Sequence, residues 1–321
     1  MKIHLPNSAF LGNIDPFLRS FDDSDPSSLE LSANKNWISI HPVVLSMIAS
    51  LAKEIGTENI RPMSFEARSM HYLQRMGMFE ILGFPKRIDI QEHDPSGRFI
   101  PLTNIRTTDE LSNFIKDMVP LLHLDPRHAR PIKFIISELV RNVLEHSGSD
   151  DGGFVCAQYY KKSNIIRIGI ADRGVGIKDT ICRSYLVKDD LEAIKLALSP
   201  GITGTTRREG GTEINAGAGL FFIKSIATVN RDFLMIYSGN AMYKLLKASR
   251  GRKRIKINED PDKDRHSSGS DYPYWKGTVV GIDINLDQTS EFTDVLDLVR
   301  ITFVRAIKER KKKRYRRPRF I

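Results

Sequence analysis

Residues 131–148 read PIKFIISELVRNVLEHSG. Ile132, Ile135, Ile136, Leu139, Val140, Val143 and Leu144 recur at helical spacing and form a broad apolar face, so this segment is expected to be a helix packed on a core. Three polar residues interrupt it at a fixed step of four: Glu138, Asn142 and His146. That step stacks them on one stripe, one turn apart. A carboxylate, an amide and an imidazole in such a stack suit a base, a metal ligand and a phosphate-side group. The same stripe is also what the wet margin of an amphipathic helix looks like, so the segments that follow have to decide between the two.

Residues 164–170, NIIRIGI, alternate as a strand, and ADRGVGI follows directly at 171–177. An aspartate at a strand end, then glycines at 174 and 176, lets the backbone pass close to a flat ligand while the Asp172 carboxylate accepts a hydrogen bond from an amino group. A G-x-G alone also fits a plain turn. Downstream, Gly217-Ala-Gly219 opens a helix pattern that runs through Ala227, and free N–H groups at such an N-terminus seat phosphate. The stretch between, PGITGTTRREGGTEINAGAG at 200–219, is rich in Gly and Thr and hard to fit into a core. A segment of that length in a compact domain is usually a functional lid or disordered, and a lid over 182–216 is expected here. Residues 275–284, WKGTVVGIDI, read as a late strand with a Gly277-Thr278 pair at its start.

The 321 residues carry 49 Lys+Arg against 39 Asp+Glu, a net of +10, but the charge is not spread evenly. Residues 305–321, RAIKERKKKRYRRPRFI, hold ten Lys/Arg and one Glu, so the rest of the chain is close to neutral. Such a tail suits a phosphate backbone, with Tyr315 and Phe320 placed to stack on bases, and it equally suits a solvated helix end that docks a partner. A composition of 40% hydrophobic and 27% charged residues is that of a folded globular chain. No apolar run approaches the ~20 residues of a membrane span. The start of the chain lacks an export signal, so a cytoplasmic protein is expected. Cys156 and Cys182 form neither a disulfide framework nor a metal motif, and structural burial is the ordinary reading for both. His71, His123 and His128 share no metal spacing with a partner.

Along the chain, 1–30 read as an irregular lead-in and 31–100 as a small α/β module: a strand at 37–40, a helix from Pro42 to a glycine cap at Gly56, a strand at 60–65 and a helix at 66–82. Residues 86–103 suit a linker or an edge hairpin, 108–122 a helix, and 291–321 a helix and basic tail. The whole predicts a two-domain α/β protein of the α+β sandwich kind.

Taken in order, E-x-x-x-N, D-R-G-V-G-I, G-A-G-L and the late K-G-T strand resemble the boxes of the GHKL superfamily of ATP-binding domains, which includes gyrase B, the heat-shock chaperone ATPases, MutL and the sensor histidine kinases. The resemblance covers residues 105–290. With His146 added, the helix is most similar to that of the anti-sigma factor serine kinases. The resemblance implies a Bergerat-type fold that binds ATP and Mg²⁺. It implies that Asn142 holds the magnesium and that Glu138 orients or deprotonates the attacking water or hydroxyl. Asp172 would accept from the adenine amino group, with Gly174 and Gly176 giving backbone room. Gly217 and Gly219 would let the lid approach the phosphates, and Thr278 would reach adenine. The 37–82 unit, ending YLQRMGMFEILGF, is similar to the end of STAS-like domains; where that family carries its phosphorylated serine, this chain has His41-Pro42, with Ser39 inside the strand.

Three functions are consistent with these features. The first is an ATP-driven regulatory switch with slow hydrolysis, acting on a protein partner or by self-association. The second is a Ser/Thr protein kinase of the anti-sigma type. The third is an adaptor that binds nucleic acid or a partner through Arg305–Ile321.

Overall fold

The computed structural model describes residues 1–21, 27–35, 38–64, 70–85, 99–117, 126–202, 219–248, 256–287 and 292–314. The N-terminal part contains β1 (Lys2–Leu5), β2 (Ser8–Ala9), α1 (Asp15–Arg19), β3 (Leu29–Ala33), β4 (Ser39–Ile40), α2 (Pro42–Ile55), β5 (Ile60–Ser64), α3 (Met70–Arg75) and α4 (Met78–Ile81). There follow β6 (Phe99–Ile105), α5 (Thr108–Asp117), α6 (Pro126–His146), β7 (Gly153–Tyr160), β8 (Ile165–Asp172), α7 (Gly176–Cys182) and α8 (Asp190–Ala197). The chain continues through α9 (Gly219–Val229), β9 (Leu234–Gly239), β10 (Ala241–Leu245), β11 (His266–Gly269), β12 (Trp275–Asn285) and α10 (Phe292–Arg314).

Seven strands make one sheet in the order β11-β10-β9-β12-β8-β7-β6, with every neighbouring pair antiparallel. Strand side chains alternate between faces, and here both faces are covered. Ile166, Ile168 and Ile170 of β8 point into a core shared with α5, α6, α9 and α10. Their neighbours in sequence and across the sheet, among them Ala171, Cys156, Met235 and Val279, belong to a second core built with the N-terminal unit. The fold is thus α+β, a large antiparallel sheet between helices, and the residues read as a small N-terminal module share a core with the back of that sheet. That module has its own parallel sheet in the order β1-β3-β5. Among the described residues no helix is long and apolar enough to cross a membrane.

Helix α2 makes the junction. Pro42 occupies its first turn, His41 caps it by accepting the Val43 N–H at Nδ1, and Gly56 ends it at φ +85°. The helix lies on the backbone of β8 and β12 at Gly169 and Gly281, which are partners across those strands. A Cβ at Gly169 would fall inside the backbone of Val43, and one at Gly281 would sit 2.9 Å from Leu11 Cδ2. Close approach lets short side chains finish the contact: Ser46 Oγ donates to the Gly169 carbonyl at 3.0 Å and Ser50 Oγ to that of Ala171 at 2.9 Å. Buried His41 donates from Nε2 to Asp283 at 3.1 Å. Arg167 also pairs with Asp283, while its guanidinium lies over the Phe10 and Tyr160 rings. Burial lowers the His41 pKa against the pull of Asp283, so the ring is neutral and joins the units as a donor–acceptor pair.

Four expectations change in detail. Residues 1–30, read as an irregular lead-in, hold β1, β2, α1 and the start of β3, because Ile3, Leu5, Leu11, Phe17 and Leu18 are buried in the N-terminal core. The helix predicted over 66–82 is described from Met70 and breaks into α3 and α4 at Gly77, which has φ +78°. The strand at 37–40 is two residues long, with Trp37 outside the described residues. Phe99–Ile105 is the edge strand of the large sheet, paired with β7.

Candidate functional site

Between α6, α7, the start of α9 and one face of the sheet lies a cleft enclosing about 840 Å³, part of it open to solvent. Asn142 from α6, Asp172 from the end of β8, Gly176 from α7, Gly219 from α9 and Thr278 from β12 all line it. These are five of the eight residues singled out in the sequence, brought together from separate stretches. Gly174 lies in the turn beneath, where its backbone packs so closely on Ser147 that a Cβ would be 2.7 Å from Ser147 Cα. Glu138 stands one turn before Asn142, beside Gly219. Gly217 lies outside the described residues, as do Arg207, Arg208 and the rest of 203–218.

At one end, Ile170, Ile177 and Val280 line the cleft together with Asp172. This carboxylate is 3% exposed. Burial pushes its pKa up to about 6, against the lowering effect of the Gly174 and Thr278 backbone N–H groups; the Gly174 N–H lies 2.9 Å from Oδ1. A buried carboxylate among apolar neighbours is a strong hydrogen-bond acceptor for a group that enters the cleft. Gly277, at φ +95°, makes room for this carboxylate: a Cβ there would be 2.7 Å from both Asp172 Oδ1 and the Gly174 nitrogen.

At the other end, Glu138 and Asn142 meet the first turn of α9. A Cβ on Gly219 would lie 3.0 Å from Glu138 Oε2 and 3.7 Å from Asn142 Nδ2. Burial raises the Glu138 pKa, with Arg141 opposing and Glu145 adding to the rise; Arg141 Nη1 donates to Oε1 at 3.1 Å. A raised pKa makes this carboxylate a stronger base than an exposed one. The Asn142 Nδ2 is buried and has no hydrogen-bond partner among the described residues, the mark of a polar group left for a ligand. His146 lines the cleft one turn further on, its pKa lowered by burial, so its ring is neutral. Among the described residues no group of three or more His, Cys, Asp or Glu is arranged to hold a metal ion. The donor set fits magnesium only in the form that takes most of its ligands from phosphate and water, with Asn142 supplying one oxygen.

Sequence reasoning missed the supports. Ser238 Oγ donates to the Gly277 carbonyl at 2.7 Å and accepts the Ile177 N–H at 3.0 Å, tying the Gly-Thr strand to α7. Trp275 Nε1 donates to the Asp172 carbonyl at 3.1 Å. From behind, Glu54 at the end of α2 takes Arg173 at 2.5 Å and Lys276 at 3.0 Å. Burial acts to raise the Glu54 pKa, but the two cations hold it below its ordinary value. The N-terminal unit thereby grips the residues next to Asp172 and next to Gly277. In the sequence, nothing marks these three distant residues as partners.

The segment expected as a lid begins with packed structure. Residues 190–197 form α8, capped by Asp189, with Ala193 and Ile194 buried, and Ala197 and Ile202 line the cleft. Cys156 is buried, as expected, whereas Cys182 is exposed. His71 is on the surface. Compared with the known protein-family models and with the curated proteins, the chain matches none.

Proposed function

We propose that this chain is a Mg-ATP-binding regulatory protein of the GHKL type, an ATP-driven conformational switch with slow hydrolysis. One observation carries the reading: the ordered boxes of the sequence converge on one cleft, with a buried carboxylate at one end and a carboxylate–amide pair beside a helix N-terminus at the other. In this reading Asp172 accepts a hydrogen of the adenine amino group, and Thr278 flanks the same ring. Gly174, Gly176 and Gly277 keep side chains out of its way. The first N–H groups of α9, which opens at Gly219, face the phosphates, and Gly217 keeps the role the resemblance implies for it. Asn142 would hold Mg²⁺, whose charge offsets that of the phosphoryl oxygens. Glu138, with its raised pKa, takes the proton of the attacking water. The N-terminal unit, whose 37–82 stretch is similar in sequence to the end of STAS-like domains, reads the state of the site through the Glu54 clamp. Phosphorylation at the start of α2 has no support, because both ring nitrogens of His41 are engaged in the interior.

The test is incubation with γ-labelled ATP, wild type beside Glu138→Gln. Free phosphate released by the wild type, and at least about 100-fold less by the variant with ATP affinity retained, is the expected result. Label transferred to a protein serine or threonine would move the assignment to a protein kinase. Equal release from both proteins would remove Glu138 from the chemistry.

A further inference from the structure

The final helix offers an independent inference. One face of α10 is committed: Val295, Val299, Phe303 and Ala306 are buried, and Phe303 packs on Phe221 and Phe222 of α9. The opposite face is apolar as well. Leu298, Ile301 and Val304 are 45%, 67% and 48% exposed, three of the five large hydrophobic residues exposed among the described ones. At 100° per residue all three lie within about 60° of Ile301 around the helix. Five exposed charged residues share that arc, Asp294 and Asp297 before the stripe and Arg305, Lys308 and Lys312 after it.

The spacing is symmetric about Ile301. Leu298 and Val304 stand three residues to either side, Asp297 and Arg305 four, and Asp294 and Lys308 seven. Reversing the helix about Ile301 therefore lays apolar on apolar and each acid on a base. We infer that α10 pairs with the α10 of a second copy of this chain, antiparallel, about a two-fold axis at Ile301. Such a self-complementary patch is what an isologous dimer requires, and flanking charges set the orientation of a helix pair. The Asp297–Arg300 and Arg305–Glu309 pairs along the helix are exposed and yield to cross-helix pairing at little cost.

Charge also selects the direction. A parallel pair would set two runs of basic residues side by side, from Lys308 to the end of the helix. The antiparallel pair carries the two Arg314 ends about 39 Å apart, beyond the Debye length of about 8 Å in physiological salt. The basic C-terminal turns of the two helices then lie at opposite ends of the pair.

Sedimentation equilibrium of the full chain over a wide concentration range tests this. The wild type should rise from the 36.5 kDa monomer towards twice that mass. Ile301→Glu should stay monomeric and melt where the wild type melts at concentrations too low for association, since the residue is exposed. Asp297→Arg and Arg305→Asp should each weaken association about ten-fold. An equimolar mixture of those two variants should restore it, because each then meets its complement twice. In a Cys182→Ser background, Ile301→Cys should cross-link to itself on oxidation. Leu298→Cys should not, its copies lying about 9 Å apart along the axis. A wild type that is monomeric at every concentration, including one that binds RNA or anionic vesicles instead, overturns the inference. So does a dimer indifferent to Ile301→Glu, or a charge mixture that restores nothing.

Discussion

Asp172 is the place where stability and function should oppose each other most clearly. Its carboxyl titrates at about 6 in the folded protein against an ordinary 3.8, because burial disfavours the charged form. Holding it ionised above pH 6 costs the fold about 3 kcal/mol. Asp172→Asn removes that cost and keeps an oxygen for the Gly174 and Thr278 N–H groups, although an amide accepts more weakly, by about 1 kcal/mol. The variant should therefore be more stable than wild type by about 2 kcal/mol at pH 7.5. The sign with pH follows from the raised value: wild type is penalised above the folded pKa and relieved as pH falls through 6 towards 3.8. About half of the penalty should remain at pH 5. Urea unfolding of both proteins at pH 7.5, 6 and 5 measures it. The same variant presents an amide where a carboxylate would accept from adenine, so ATP affinity should fall at least about ten-fold, beyond any change wild type shows from titration of the nucleotide. A variant no more stable than wild type at pH 7.5, or a gain that does not shrink with acid, would refute the reasoning about burial. A more stable variant with unaltered affinity would take Asp172 out of the site.

Gly169→Ala drives a methyl into the Val43 backbone and should destabilise by about 3 kcal/mol, whereas Gly281→Ala meets only side chains and should cost about 1 kcal/mol; urea midpoints of the pair separate these. Equal costs would mean that α2 is not seated on the sheet at this point. Glu54→Ala frees Arg173 and Lys276 behind the cleft, and calorimetry should find ATP affinity reduced about five-fold with a stability loss of about 1 kcal/mol. Unchanged affinity would leave Glu54 as a surface pair with no link to the site.

Much of the site was legible because its parts depend on local rules. The stripe of Glu138, Asn142 and His146 follows from helical spacing, the end of β8 at Asp172 from alternation, and the start of α9 from glycine at a helix terminus. What escaped depends on long-range packing. A glycine at 169 or 281 reads as a weak point within a strand until α2 lies on it. Ser238 and Trp275 sit in apolar strands where nothing marks one as a strut for Gly277 and the other as a donor to the Asp172 carbonyl. The break at Gly77 lay inside an apolar pattern that continues across it, so periodicity extended the helix through a left-handed residue. Helix α8 was hidden in the expected lid because it is only eight residues long and its apolar residues, Leu191, Ala193, Ile194, Leu196 and Ala197, spread around most of its circumference instead of marking one face.

The proposal that the cleft is an Mg-ATP site is tested most directly by titration calorimetry of the full chain with ATP, in the presence and absence of magnesium, beside Asp172→Ala and Asn142→Ala. The expected result is saturable one-site binding that strengthens with magnesium. Asp172→Ala should lose most of the affinity in either condition, and Asn142→Ala should lose the magnesium-dependent part. Absence of binding in the wild type, or binding that neither substitution alters, would contradict it.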